Sequence, residues 1–148
     1  MQRPRPTTRR LLAVALAAAA LSGCATIRYD PEKATRSYPF WLKQGETVDV
    51  QVITEGETIL IVNATPVDYQ NVDIWLNQRY LHHADRIAPG ENKRLYLGNF
   101  WDVRGEGPHP GGAFRYYPPT PVRLVQLQID ETSPLIGLQA VLTEDETR

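Results

Sequence analysis

Cysteine is nearly absent: Cys24 is the only one in 148 residues. An internal disulfide is therefore excluded, whatever the redox compartment. A membrane-crossing run is missing as well. The apolar stretch at 11–21 has eleven residues, whereas a helix across the hydrocarbon core needs about 20. Serine is scarce beyond residue 23, where only Ser37 and Ser133 occur, and no Gly-x-Ser-x-Gly is present. The nucleophile elbow of a serine hydrolase is thereby excluded. Gly105, Gly107, Gly111 and Gly112 are interleaved with prolines and lack the lysine and following helix of a phosphate loop. Positive charge is not in excess either, with 16 Lys and Arg against 17 Asp and Glu. A nucleic-acid ligand would call for a basic patch or stripe.

What is present begins at the N-terminus. Arg3, Arg5, Arg9 and Arg10 precede the eleven-residue apolar run, and Leu21-Ser22-Gly23-Cys24 closes it. A charged region, a short apolar region and small residues in that order describe an export signal. The tetrapeptide resembles the lipobox of bacterial lipoproteins. That resemblance implies cleavage after residue 23, acylation of Cys24 and a mature chain that starts there. Stable lipid anchoring needs more than one chain, at about 0.8 kcal/mol per buried methylene, and lipoprotein maturation supplies several. Arg9-Arg10 also resembles a twin-arginine signal, although basic n-regions suit the general secretory route equally, and that route is preferred here. Ala25 follows the cysteine. By resemblance to enteric-type lipoproteins, where aspartate in that place retains the protein at the inner membrane, this points to the outer membrane. Without the signal, 12 basic residues stand against 17 acidic ones, a net charge of −5. Adhesion to anionic lipid by charge alone is not expected.

Residues 24–45 read as a lipidated N-terminus and tether of mixed charge. Tyr38-Pro39-Phe40-Trp41-Leu42 within it is too aromatic for a free linker and is expected to pack on a surface. From Thr47 the apolar period becomes two, the mark of half-buried strands. Val48, Val50 and Val52 form one strand, and Glu55-Gly56 turns it into a second at 58–64. That second strand is apolar on both faces and expected to be central. Val72, Ile74 and Leu76 give a third, Tyr80-Leu81 start a short fourth, and Leu95 and Leu97 lie on a fifth after an Ala88-Pro89-Gly90-Glu91 turn. Residues 105–112 contain seven Gly, Pro or His in eight and are expected to form a mobile or docking loop. Strands at 122–129 and 137–142 complete the domain, and 144–148 form a polar tail.

Six or seven short strands without a convincing helix predict an all-β fold, a single antiparallel β-sandwich over 46–143. In strand number and spacing the domain resembles the immunoglobulin and fibronectin type III class. It departs from antibody domains in lacking the paired cysteines and in placing Trp75 out of step with the apolar positions.

His82, His83 and Asp85 are the only clustered metal-ligand types, with His109 apart. Adjacent strand residues face opposite ways, so His82 and His83 are not expected to share an ion. A polar strand end is the preferred reading, and no metal or cofactor is expected. Abundant carboxylates form a solvated acidic surface unless two of them converge in space. Asn63-Ala64-Thr65 is a glycosylation sequon, irrelevant in a bacterial setting.

The aromatic residues carry more. Trp75 shares its strand face with Asp73 and Asn77, which predicts an outward indole. It is either a binding anchor, or is covered by the aromatic segment 38–42, or is turned inward by a bulge. Cover is preferred, because the segment needs a surface too. Trp101, Tyr116 and Tyr117, with Phe100 and Phe114, flank the Gly/Pro loop. With Trp75 they are the candidate partner contacts, for an envelope protein or a glycan, unless they merely close the mouth of the sandwich. The expected function is that of a non-enzymatic lipoprotein of the outer membrane, facing the periplasm as an accessory or protein-interaction module. The alternatives are a small-ligand or glycan-binding sandwich and, last, a metal-dependent enzyme.

Overall fold

The computed structural model describes residues 28–109 and 119–141. The signal and lipobox, Tyr116 and Tyr117, and the polar tail lie outside them. Seven strands form one all-β domain: β1 (Gln44–Glu55), β2 (Thr58–Asn63), β3 (Tyr69–Leu76), β4 (Tyr80–Ile87), β5 (Asn92–Tyr96), β6 (Val125–Gln128) and β7 (Leu135–Val141). They join in a single sheet of order β4-β3-β6-β7-β1-β2-β5. Neighbours are antiparallel except β1 and β7, which run parallel. Among the described residues no helix is long and apolar enough to cross a membrane.

Alternation in the sequence builds these strands, and their inward residues make the sheet close on itself. Val50 and Val52 of β1, Ile59 and Ile61 of β2 and Leu95 of β5 share one core with Val72, Ile74 and Leu76 of β3, Ala84 of β4 and Leu127 of β6. The two ends of the sheet thus face each other in a sandwich-like, barrel-like body. Two register shifts in the β1–β7 pairing, between Gln44 and Thr47 and between Thr47 and Gln51, mark where β1 departs from regular pairing. Irregularities of this kind bend a strand and increase its twist. β2 is an interior strand between β1 and the edge strand β5, not the middle of the sheet, and only its Ile59 and Ile61 face is fully buried. β4 runs to Ile87, longer than the predicted short strand, and β6 is confined to four residues.

Asn63 explains how the β2 end is fastened. Fully buried, its amide nitrogen donates to the carbonyls of Val67, Ile87 and Ala88, and its oxygen accepts from the Thr65 amide and hydroxyl. Buried polar groups persist when they are satisfied in this way. The Asn-x-Thr pattern is thus a structural clip here.

Candidate functional site

The outer face of β3 and β6 pairs Asp73 with Gln128 and Trp75 with Gln126. Left bare, this face would expose a tryptophan among polar neighbours. It is covered instead by residues 36–44. Trp75 is 0% exposed and packs with Tyr38, Leu42 and Leu135, its ring meeting Tyr38 edge-on at 5.3 Å. Its indole Nε1 donates to Gln128 Oε1 at 2.9 Å, and Arg36 donates to the same oxygen at 2.9 Å and to Asp73. Tyr38 donates its hydroxyl to Gln126 Oε1 at 2.6 Å, and Gln126 in turn bonds Gln44. The cover is therefore apolar in its middle and hydrogen-bonded along its margins, so all four residues of β6 are buried.

The covering segment is held down from its first described residue. Arg28 donates to the Gly98 carbonyl at 2.6 Å and lies over the Trp101 ring. Tyr29 pairs with Glu106, the Asp30 amide donates to Gly105 O, and the Thr35 amide donates to Asp102 O. Lys33 also lies over Trp101. Gly105 is required at this crossing: its φ is +77° and a Cβ would sit 2.2 Å from the Asp30 carbonyl oxygen. Residues 28–43, read from sequence as a tether, form a strap, and residues 105–107 of the Gly/Pro loop are its seat.

Two of the predicted partner contacts are thus removed from solvent. Trp75 lies under the strap, and Trp101, at 9% exposure, lies under Arg28 and Lys33. Trp75 is covered by the aromatic segment 38–42, the reading preferred from the sequence, whereas Trp101 is not the exposed contact that its loop position suggested. Tyr116 and Tyr117 fall outside the described residues.

The exposed aromatics are others. Residues 39–42 form a turn closed by the Leu42 amide donating to Pro39 O at 3.1 Å, which leaves Phe40 and Trp41 at the corner, each 74% exposed. Beside them is an open cavity of about 390 Å³, walled by Tyr38, Phe40 and Val103 and edged by Gln78, Arg79 and Arg104. Asn77 and Gln78 have φ of 51° and 57°, the left-handed values of a tight turn closed by the Arg79 amide donating to Leu76 O at 3.0 Å, within the three-residue loop between the paired Leu76 and Tyr80. That geometry delivers Arg79 to the cavity rim. There Arg79 meets the Asp102 carboxylate at 2.8 Å and also pairs with Glu106. Asp102 is buried and accepts from the Arg104 and Glu106 amides at 2.8 Å each. Among the described residues, Arg104 has no carboxylate partner. The cavity therefore presents aromatic walls and an Arg104 guanidinium outside any ion pair, while Arg79 is shared by Asp102 and Glu106. The aromatic density of 38–42 was the legible sign of this site, whereas nothing in the sequence marked Arg79, Asp102 or Arg104.

The histidines separate as their alternation predicts. His82 is half-buried with its ring 5.0 Å from that of Phe100, whereas His83 is exposed and bonds Asp73 through Nδ1 at 2.8 Å. Asp85 is almost fully solvated. Among the described residues no three His, Cys, Asp or Glu side chains converge on a metal position. Burial pushes His82 below the ordinary imidazole value, against the opposing effect of a hydrogen bond to the Asn99 backbone. The unfolded chain takes up this proton near pH 6.5 and the folded chain only at lower pH. The His82 contribution is therefore present above about pH 6.5 and lost as pH falls towards the folded value. Urea midpoints measured across pH 7 to 5 should decline less steeply for His82→Gln than for the native protein; parallel slopes would refute this.

Compared with family models, curated proteins and solved structures, the chain matches none.

Proposed function

We propose that this is a non-enzymatic, lipid-anchored lipoprotein of the bacterial outer membrane. It faces the periplasm, and its sandwich-like domain serves as an accessory module for a membrane-bound envelope protein. The observation that carries the reading is the strap. Among the described residues the domain is already hydrogen-bonded to the strap at residue 28, and no more than residues 25–27 lie between that point and the lipobox cysteine. Acylated there, the domain and its cavity stand beside the membrane. Confinement to one surface raises the effective concentration for a partner held in the same membrane. The cavity, with its aromatic walls and an Arg104 guanidinium outside any ion pair among the described residues, suits an aromatic or acidic side chain of that partner.

Labelling with radioactive palmitate and in-cell crosslinking, each with a Cys24→Ser control, test this directly. The expected result is label on the native protein, a captured envelope protein, and loss of label, membrane association and capture in Cys24→Ser. Arg104→Glu should reduce capture while leaving the label intact. Membrane association unchanged in Cys24→Ser would overturn the anchor. A second reading, a small-ligand or glycan-binding module, draws on the cavity volume, which falls in the range of about 300–1,000 Å³ typical of ligand sites. Capture of peptidoglycan in place of a protein would favour it.

A further inference from the structure

We propose that the 39–42 turn is a second membrane contact, seating Phe40 and Trp41 in the headgroup region of the leaflet that holds the Cys24 lipid. The proposal rests on the lipid-anchor reading above. Its first support is the construction of the turn. Tyr38 and Leu42, at its base, are buried against Trp75 and Leu135, whereas Phe40 and Trp41 at its corner are the two most exposed large apolar residues described. Phe40 keeps one ring contact, edge-on to Tyr38 at 4.8 Å, whereas among the described residues Trp41 has no ring partner and stands 74% exposed. Exposed apolar patches of this kind mark interaction sites, and tryptophan favours the membrane interface, where its ring is shielded and its N–H stays wet.

The second support is position. Phe40, Val103 and Arg104 border one cavity, and the strap enters the domain at the same loop, through Tyr29 on Glu106 and Asp30 on Gly105. Four residue steps separate Cys24 from Arg28, a reach of at most about 14 Å. Acyl chains on Cys24 thus bring the leaflet to this end of the molecule. Lys43 directly follows the turn, exposed and able to meet a lipid phosphate. The net charge of −5 beyond residue 23 disfavours adsorption by charge alone, so the contact depends on the anchor. Once both are made, the domain is oriented as well as tethered, with its cavity at the membrane surface.

Tryptophan emission reports the contact, because Trp75 and Trp101 are buried and only Trp41 of the three is exposed. Full-length lipidated protein is placed in vesicles of phosphatidylethanolamine and phosphatidylglycerol brominated near the headgroup. The expected result is a blue shift and quenching of the Trp41 share of the emission, both absent in Trp41→Phe and reduced in Phe40→Ser. Vesicle-bound protein whose Trp41 is unquenched by the lipid and open to aqueous acrylamide would overturn the proposal while leaving the anchor intact. Equal vesicle flotation of Cys24→Ser would instead overturn the anchor. A photo-crosslinker at position 41 that captures a protein in place of lipid in cells would also overturn it.

Discussion

Trp75→Ala is expected to destabilise the domain by about 3–5 kcal/mol, the range for removing a buried tryptophan from a packed site. The indole is fully enclosed by Tyr38, Leu42 and Leu135, so its loss leaves a cavity between the strap and β3. Most of the effect is packing. Gln128 Oε1 keeps its bond from Arg36 when the indole donor is gone, so Trp75→Phe should cost only about 1 kcal/mol. An outward binding anchor would behave differently, since surface replacements fall within about 0.5 kcal/mol. Urea denaturation of both variants decides between these. Tyr38→Ala combined with Trp75→Ala should cost less than the sum of the two, because the residues share one cluster. Near-zero effects for Trp75→Ala would mean that the strap does not cover β3 in solution.

Asp102→Ala should cost about 3 kcal/mol and, more tellingly, loosen the strap. The carboxylate satisfies Arg79 and the amides of Arg104 and Glu106; removing it orphans the two amides, at about 1–3 kcal/mol where they stay dry, while Arg79 keeps Glu106. The strap binds this same loop through Thr35 on Asp102 O, Asp30 on Gly105 O and Gly107 on Arg28 O. Hydrogen exchange at Asp30, Thr35 and Gly107 should accelerate before the core strands lose protection. Asp102→Asn keeps one acceptor oxygen and should show a smaller effect. Burial alone would raise the Asp102 pKa, but bonds from the Glu106 amide, Arg79 and the Arg104 amide hold it below the usual carboxylate range. Its contribution is thus present above the unfolded value near 3.9 and lost as pH falls through the folded one. Removing Asp102 should flatten the acid limb of the stability profile. Unchanged exchange at the three amides would show that the strap is held independently of this loop.

The strands were legible because their cause is local. Alternating Val50 and Val52, or Val72, Ile74 and Leu76, is a property of a few adjacent residues, whereas the apolar residues on both sides of β2 suggested a central strand and it lies next to the edge. The division of His82 from His83 followed from the same period. Trp75 marks where that reasoning ends. Alternation correctly puts it on the face opposite Ile74, and the aromatic segment 38–42 was legible as its cover, but the polar contacts that fasten that cover were not. Those contacts come from Arg36, Tyr38 and Gln44, whose partners on β6 are 82 to 92 residues away in sequence. Gln126 and Gln128 look like solvent residues for the same reason, and are buried. The parallel β1–β7 pairing was equally hidden, because it joins the first and last strands through the closure of the whole sheet.

The sequence alone determined the all-β composition, the approximate strand positions, the absence of disulfides and the export-signal pattern ending at Cys24, since each depends on residue type and near-neighbour order; it missed that Leu97 turns into a 3-10 segment and that β6 starts only at Val125. Only the tertiary structure decided which aromatics are free. It buried Trp75 and Trp101 beneath the strap, left Phe40 and Trp41 at the corner of a turn, and brought Arg79 to Asp102 across a hairpin. Exposure is a property of what two distant segments do to each other, and a pattern within one segment carries no record of the other.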